Sequence, residues 1–164
     1  MYRRPHRISR AAVVLALAAI VSTGSVTAAA DHWLGTWKLN LAKSKYNPPE
    51  LAPKSQTITR ESVDGGMMKL VTNGVDAAGK ATHNEFSARF DGKDYPWAGQ
   101  SNADSVSLIR IDDEYYEAIW KLKGEVTITS NTLVSKDGKT LTTTQSGKDA
   151  QGRMVLNMSV YDRQ

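Results

Sequence analysis

The chain has 164 residues, 40% of them hydrophobic, with 21 Lys and Arg, 17 Asp and Glu, and no Cys. Arg3, Arg4, Arg7 and Arg10 all precede residue 31, where no acid occurs, so residues 31 to 164 carry 17 bases against 17 acids and are formally neutral. A neutral domain lacks the electrostatic footprint needed to hold nucleic acid or an anionic membrane surface, and without Cys there is neither a disulfide nor a lipoprotein attachment site.

The first thirty residues read as a targeting segment. The four arginines form a cationic start, Ala11 to Val21 form an apolar run, and Thr27-Ala28-Ala29-Ala30 place small residues before Asp31. This is the pattern of a secretory signal peptide over residues 1 to 30. The apolar run is shorter than the roughly 20 residues that cross a bilayer, so no membrane span is expected after cleavage. Arg3-Arg4 is not read as a twin-arginine signal, because His6-Arg7 stand where apolar residues belong. Residues 31 to 164 are then expected to form one exported domain, long enough to bury about two-thirds of its extended surface. Asn157-Met158-Ser159 fits a glycosylation sequon, relevant only in a host that glycosylates secreted proteins.

Within that domain, short segments rich in Thr, Val, Ile and Tyr recur between glycine-containing turns, and no longer stretch has helical apolar spacing. Strands are predicted at 33–39, 55–62, 67–73, 81–90, 94–98, 105–111, 115–122, 126–134, 140–146 and 153–162. The turns between them include Asp64-Gly65-Gly66, Asp91-Gly92-Lys93, Lys123-Gly124 and Asp137-Gly138-Lys139, which suit tight hairpins. Successive strands should therefore be antiparallel neighbours. The one long interruption, residues 40–54, contains Pro48, Pro49 and Pro53 and is predicted as a covering loop, with room for a single helical turn near Ala42 to Tyr46. In the strand from 115, Tyr116, Ala118, Trp120 and Leu122 share one face. In the last strand Met154, Leu156, Met158 and Val160 share a face opposite Val155, Asn157, Ser159 and Tyr161. The fold class is all-β. An antiparallel up-and-down barrel of about eight to ten strands is the expected architecture, with two stacked sheets as the alternative.

Gly35-Thr36-Trp37-Lys38-Leu39 resembles the opening strand of the calycin superfamily, the lipocalins and fatty-acid-binding proteins. The resemblance implies a lipocalin-like barrel closed at one end by Trp37, with Gly35 allowing close backbone approach. Val160-Tyr161-Asp162-Arg163 likewise resembles the closing strand of fatty-acid-binding proteins and would turn Tyr161 inward, against the amphipathic reading that turns Met154, Leu156, Met158 and Val160 inward; a local bulge could reconcile the two. The chain also departs from the family. The arginine of the family's carboxylate-holding Arg-x-Tyr is replaced in Ser159-Val160-Tyr161, and the Pro-bearing segment 40–54 is unsuited to the family's pair of portal helices. No helix of the kind lipocalins place after the barrel is expected before Gln164. The GTWKLNLAKSKY opening and DGK turns are also similar to small exported bacterial proteins of unassigned role, which implies a periplasmic or secreted location.

Catalytic and metal chemistry find little support. His32 and His83 are too few for a zinc site. Asp112-Asp113-Glu114 lacks the spaced further ligands of a calcium loop and reads as a solvated acidic turn. Gly99-Gln100-Ser101-Asn102-Ala103 approaches a nucleophile elbow but lies between strands, without the strand-to-helix setting that gives the elbow its meaning. No enzyme activity and no cofactor are expected. Arg89 and Arg110 read as surface residues. The aromatic residues are more informative, because rings spread over many strands either fill a small barrel or line a cavity. Trp120 and Tyr116, with Phe86 and Phe90, are the candidates for touching a small apolar or amphipathic ligand. The alternative is a filled-core barrel acting as an interaction or inhibitory protein of the cell envelope.

Overall fold

The computed structural model describes residues 31–164, so the signal-peptide reading lies outside the described residues. Ten strands follow one another: β1 Gly35–Leu39, β2 Ser55–Val63, β3 Met67–Val75, β4 Ala81–Ala88, β5 Tyr95–Ala98, β6 Ser105–Arg110, β7 Tyr115–Leu122, β8 Glu125–Val134, β9 Thr140–Lys148 and β10 Met154–Arg163. Each pairs antiparallel with its sequence neighbour, and β1 also pairs with β10, so Trp37 lies opposite Ile58 on one side and Arg163 on the other. The sheet is a closed barrel rather than two stacked layers. Closure gives every described strand a partner on both sides, with only two residue pairs each at β4–β5 and β5–β6.

The turn chemistry accounts for the hairpins. Between β7 and β8, Lys123 at φ 54° and Gly124 at φ 84° form a two-residue loop joining the paired residues Leu122 and Glu125. Positive φ at both central positions is the geometry that follows the natural strand twist. A bulge near Trp120 and Lys121 then bends this hairpin, and the Thr127 hydroxyl donates to the Trp120 and Asn102 carbonyls. At the same place Gly147 sits at φ 146°, where an added Cβ would lie 2.0 Å from the Thr127 carbonyl oxygen. Glycine inside this strand thus permits a close backbone approach.

The first strand begins later than its sequence pattern suggests, because residues 31–34 form a turn closed by Leu34 N–H donating to the Asp31 carbonyl. That turn folds Trp33 beneath the barrel. Trp37 is fully buried and its indole N–H donates to the Trp33 carbonyl at 3.1 Å. The Arg163 guanidinium lies 4.3 Å from the centre of the Trp37 ring and donates to the carbonyls of Gly138, Leu34 and His32. One side chain from the last strand therefore ties together the β8–β9 turn and the N-terminal turn. Gly35, at φ 117°, makes room for it, since a Cβ there would stand 2.8 Å from an Arg163 nitrogen. Arg110 is only partly exposed: its guanidinium lies 4.5 Å over the Trp33 ring and pairs with Asp31 and Asp113 at 3.1 Å each.

The amphipathic reading of the last strand is corrected. Val155, Ser159 and Tyr161 are buried, whereas Met154 and Leu156 are 66% and 61% exposed; on their face only Val160 is buried. Register with β9 is continuous from Met154–Lys148 to Asp162–Thr140, so no bulge intervenes. Apolarity misleads here because Met154 and Leu156 are apolar residues left on the outer face. After a 3₁₀ turn at Leu41–Lys43 the chain runs back along β10, with Lys45 and Met158 exchanging backbone hydrogen bonds and Asn47 accepting from Leu156. Residues 40–47 thus extend the closing edge, while the segment as a whole remains the expected loop, its only helical structure among the described residues being two 3₁₀ turns. Asp162 anchors it: hydrogen bonds from the Asn40 amide and then the Lys43 ammonium hold its carboxyl below the usual carboxylate range.

Candidate ligand chamber

The closed end is filled by Trp33, Trp37, Phe90, Tyr116 and aliphatic neighbours. Above that floor lies an internal chamber of about 90 Å³, which leads into a mouth of about 540 Å³. Gln56, Asn84, Gln100, Trp120, Gln145 and Tyr161 line both, so the two spaces adjoin. Tyr46, Leu51 and Pro53 from segment 40–54 form part of the rim.

The chamber has two unlike walls. On β4, β5 and β7, Phe86, Trp97 and Trp120 meet edge to face, with ring centres 4.9 and 4.7 Å apart. This arrangement favours aromatic quadrupoles. Across the chamber, β8 and β9 supply Ser130, Thr132, Thr143 and Gln145, with the Thr132 and Thr143 hydroxyls 3.2 Å apart. On the adjoining strands the Tyr161 hydroxyl donates to the Gln56 carbonyl oxygen, and the Tyr46 and Ser159 hydroxyls share a hydrogen bond of 2.9 Å. Burial pushes the Tyr161 hydroxyl well above the ordinary phenol range and raises Tyr46 in the same direction. Both phenols remain neutral hydrogen-bonding groups at any ordinary pH.

The floor carries an unexpected charge. Arg60 of β2 is 2% exposed, lines the chamber, and its guanidinium carbon lies 5.5 Å from the centre of the Tyr116 ring. Its Nε and Nη1 have no hydrogen-bond partner among the described residues, and the indole N–H of Trp97 has none either. Strand register puts Arg60 opposite Leu70, Leu70 opposite Phe86 and Phe86 opposite Trp97, so these four lie on the same inward face of adjoining strands.

Of the four residues singled out in the sequence, Trp120, Tyr116 and Phe86 line the chamber. Phe90 does not. It packs 5.1 Å from Trp33 and 5.3 Å from Tyr116 in the floor and borders a separate recess at the closed end. Ser101 lies in the loop at the mouth, and His83 on the same rim shares a hydrogen bond of 2.7 Å with Asn73. Asp112 and Asp113 serve their own turn, Asp112 accepting from the Glu114 N–H and Asp113 from Arg110. Sequence reasoning missed Arg60. Alternation along Gln56, Ile58 and Arg60 is the signal that could have found it, since it places the cation on the face of a buried isoleucine.

No family model matches the chain, and neither does any curated protein. Solved structures do. The chain is similar to the fluorescent protein UnaG, at 14% identity with a TM-score of 0.53 over 80% of this chain and 97% of UnaG. A point mutant of UnaG gives 17% identity and a TM-score of 0.54 over 81% and 96%. The shared fold is the closed ten-stranded antiparallel barrel, the architecture that the resemblance at the first strand implied. At this identity the likeness speaks for the architecture, and what the chamber does must be argued from its own residues.

Proposed function

We propose that the protein is an exported binding protein that holds a small amphipathic molecule inside its barrel. The observation that carries this reading is the chamber: a space open at one end, walled by aromatic rings on one side and hydroxyls on the other. Such mixed linings, largely apolar with a few placed polar groups, are the usual makeup of small-molecule sites. A barrel whose work lay on its outer surface would have no use for an unfilled interior with unpaired donors, because voids and orphaned polar groups both cost stability.

Titration of residues 31–164 with Nile red, a neutral environment-sensitive dye, tests the reading. Saturable binding at one site per chain is expected. Trp120→Ala should weaken it about five- to thirtyfold, corresponding to the loss of one stacking wall. Leu156→Ala, on the outer face, should leave it unchanged. An absence of saturable binding, or equal effects of the two substitutions, rejects the proposal.

Export rests on the leader sequence, and the mass of the protein recovered from its natural host tests it. A chain beginning at Asp31 is the expected result. A full-length chain retained in the cytoplasm would remove export from the proposal.

A further inference from the structure

We infer that the ligand is a planar aromatic carboxylic acid that enters acid first and is held by Arg60. This rests on the binding reading above and specifies the chemistry of the same chamber. Among the described residues Arg60 is the one charged side chain lining the chamber, and it takes part in no ion pair. Surface cations can be left to water, but a guanidinium with 2% exposure and two N–H-bearing nitrogens lacking acceptors is a strong demand for an anion. A carboxylate offers two oxygens to a planar fork of donors, which is the pairing that guanidinium geometry favours.

Depth sets the orientation. Arg60 lies beside Tyr116, whose ring packs 5.1 Å from Trp33 in the floor, whereas Trp120 and Gln145 also line the mouth. The acid must therefore travel to the bottom, with the rest of the molecule trailing toward the opening. The two walls then select what trails. A straight acyl chain gains nothing specific from the Phe86, Trp97 and Trp120 rings and sets methylenes against Ser130, Thr132 and Thr143. A flat ring system lays its face or edge on the rings and turns its substituents to the hydroxyls. The unpaired Trp97 N–H adds a second donor in the chamber lining, matched to a further acceptor on such a molecule.

Three probes separate these elements: 2-naphthoate, its neutral counterpart 2-naphthamide, and decanoate as a straight-chain acid. The protein is expected to bind 2-naphthoate about ten- to a hundredfold more tightly than 2-naphthamide, the range for a charge-assisted hydrogen bond made in a buried site. Decanoate should bind more weakly than 2-naphthoate. Arg60→Met should abolish the preference for the acid over the amide, and an unchanged far-ultraviolet circular dichroism spectrum shows that the variant barrel is folded. Equal binding of acid and amide to the wild-type protein, or an acid preference that survives Arg60→Met, overturns the role of Arg60. Decanoate binding as tightly as 2-naphthoate overturns the aromatic part. Failure of both naphthyl probes in a protein that binds Nile red rejects this inference alone, and failure of Nile red as well rejects the binding reading with it.

Discussion

Trp37→Ala is expected to lower the unfolding free energy by about 3–5 kcal/mol, the range for truncating a large aromatic in a packed core. The indole is fully buried, pairs by strand register with both neighbours of β1, and donates its N–H to the Trp33 carbonyl. Its removal also takes away the surface over which the Arg163 guanidinium lies. That arginine anchors three backbone carbonyls, so the cavity would open at the point where the first strand, the last strand and the N-terminal turn meet. Urea unfolding followed by far-ultraviolet circular dichroism measures the effect, with Leu156→Ala as an outer-face control expected to stay within about 0.5 kcal/mol. A loss below about 1.5 kcal/mol for Trp37→Ala would mean that the floor collapses around the missing ring and that closure depends on other residues.

Legibility in the sequence followed the physics of each element. Hairpins were readable because Lys123-Gly124 and Asp137-Gly138 demand positive φ at positions where few other residues sit comfortably. The inward face of β7 was readable because Tyr116, Ala118 and Trp120 alternate against Glu117 and Lys121, and burial and polarity agree there. The last strand was not, because its edge beyond β1 is paired by residues 40–47, a contact between parts of the chain over a hundred residues apart, and its outer face keeps Met154 and Leu156 exposed. A local hydrophobic pattern cannot distinguish cover from inside and cover from outside. Gly35-Thr36-Trp37 pointed to the closed end, but the residue that completes it, Arg163, is meaningful only once β1 and β10 are paired. Phe90 had the chemistry of a lining residue; its packing against Trp33 follows from the 31–34 turn, which carries no strong signal. Arg60 was hidden for the opposite reason. A charged residue in a Thr-rich strand reads as solvent-facing, and only barrel closure turns its face inward.

Arg60→Met is expected to make the unliganded protein more stable, by about 1–3 kcal/mol, raising Tm by about 3–10 °C. Two effects oppose each other. Burying an unpaired guanidinium costs several kcal/mol even after relaxation, whereas its contact with the Tyr116 ring, 5.5 Å from the ring centre, returns about 0.5–2 kcal/mol. Methionine replaces the aliphatic stem as far as the Nε position, leaves no donor unsatisfied, and packs favourably beside aromatic rings. The net sign therefore favours the variant. Ligand should reverse the ranking: 2-naphthoate at saturating concentration stabilises whichever form binds it, so it should raise Tm of the wild-type protein far more than that of Arg60→Met. Differential scanning calorimetry with and without 2-naphthoate reads both quantities in one experiment. A variant that is less stable than the wild-type protein without ligand would show that Arg60 is a structural member of the floor, held by its aromatic neighbour. A more stable variant that has lost the acid-dependent rise in Tm would identify a cation kept at the expense of the fold, as expected of a binding residue and not of a core residue.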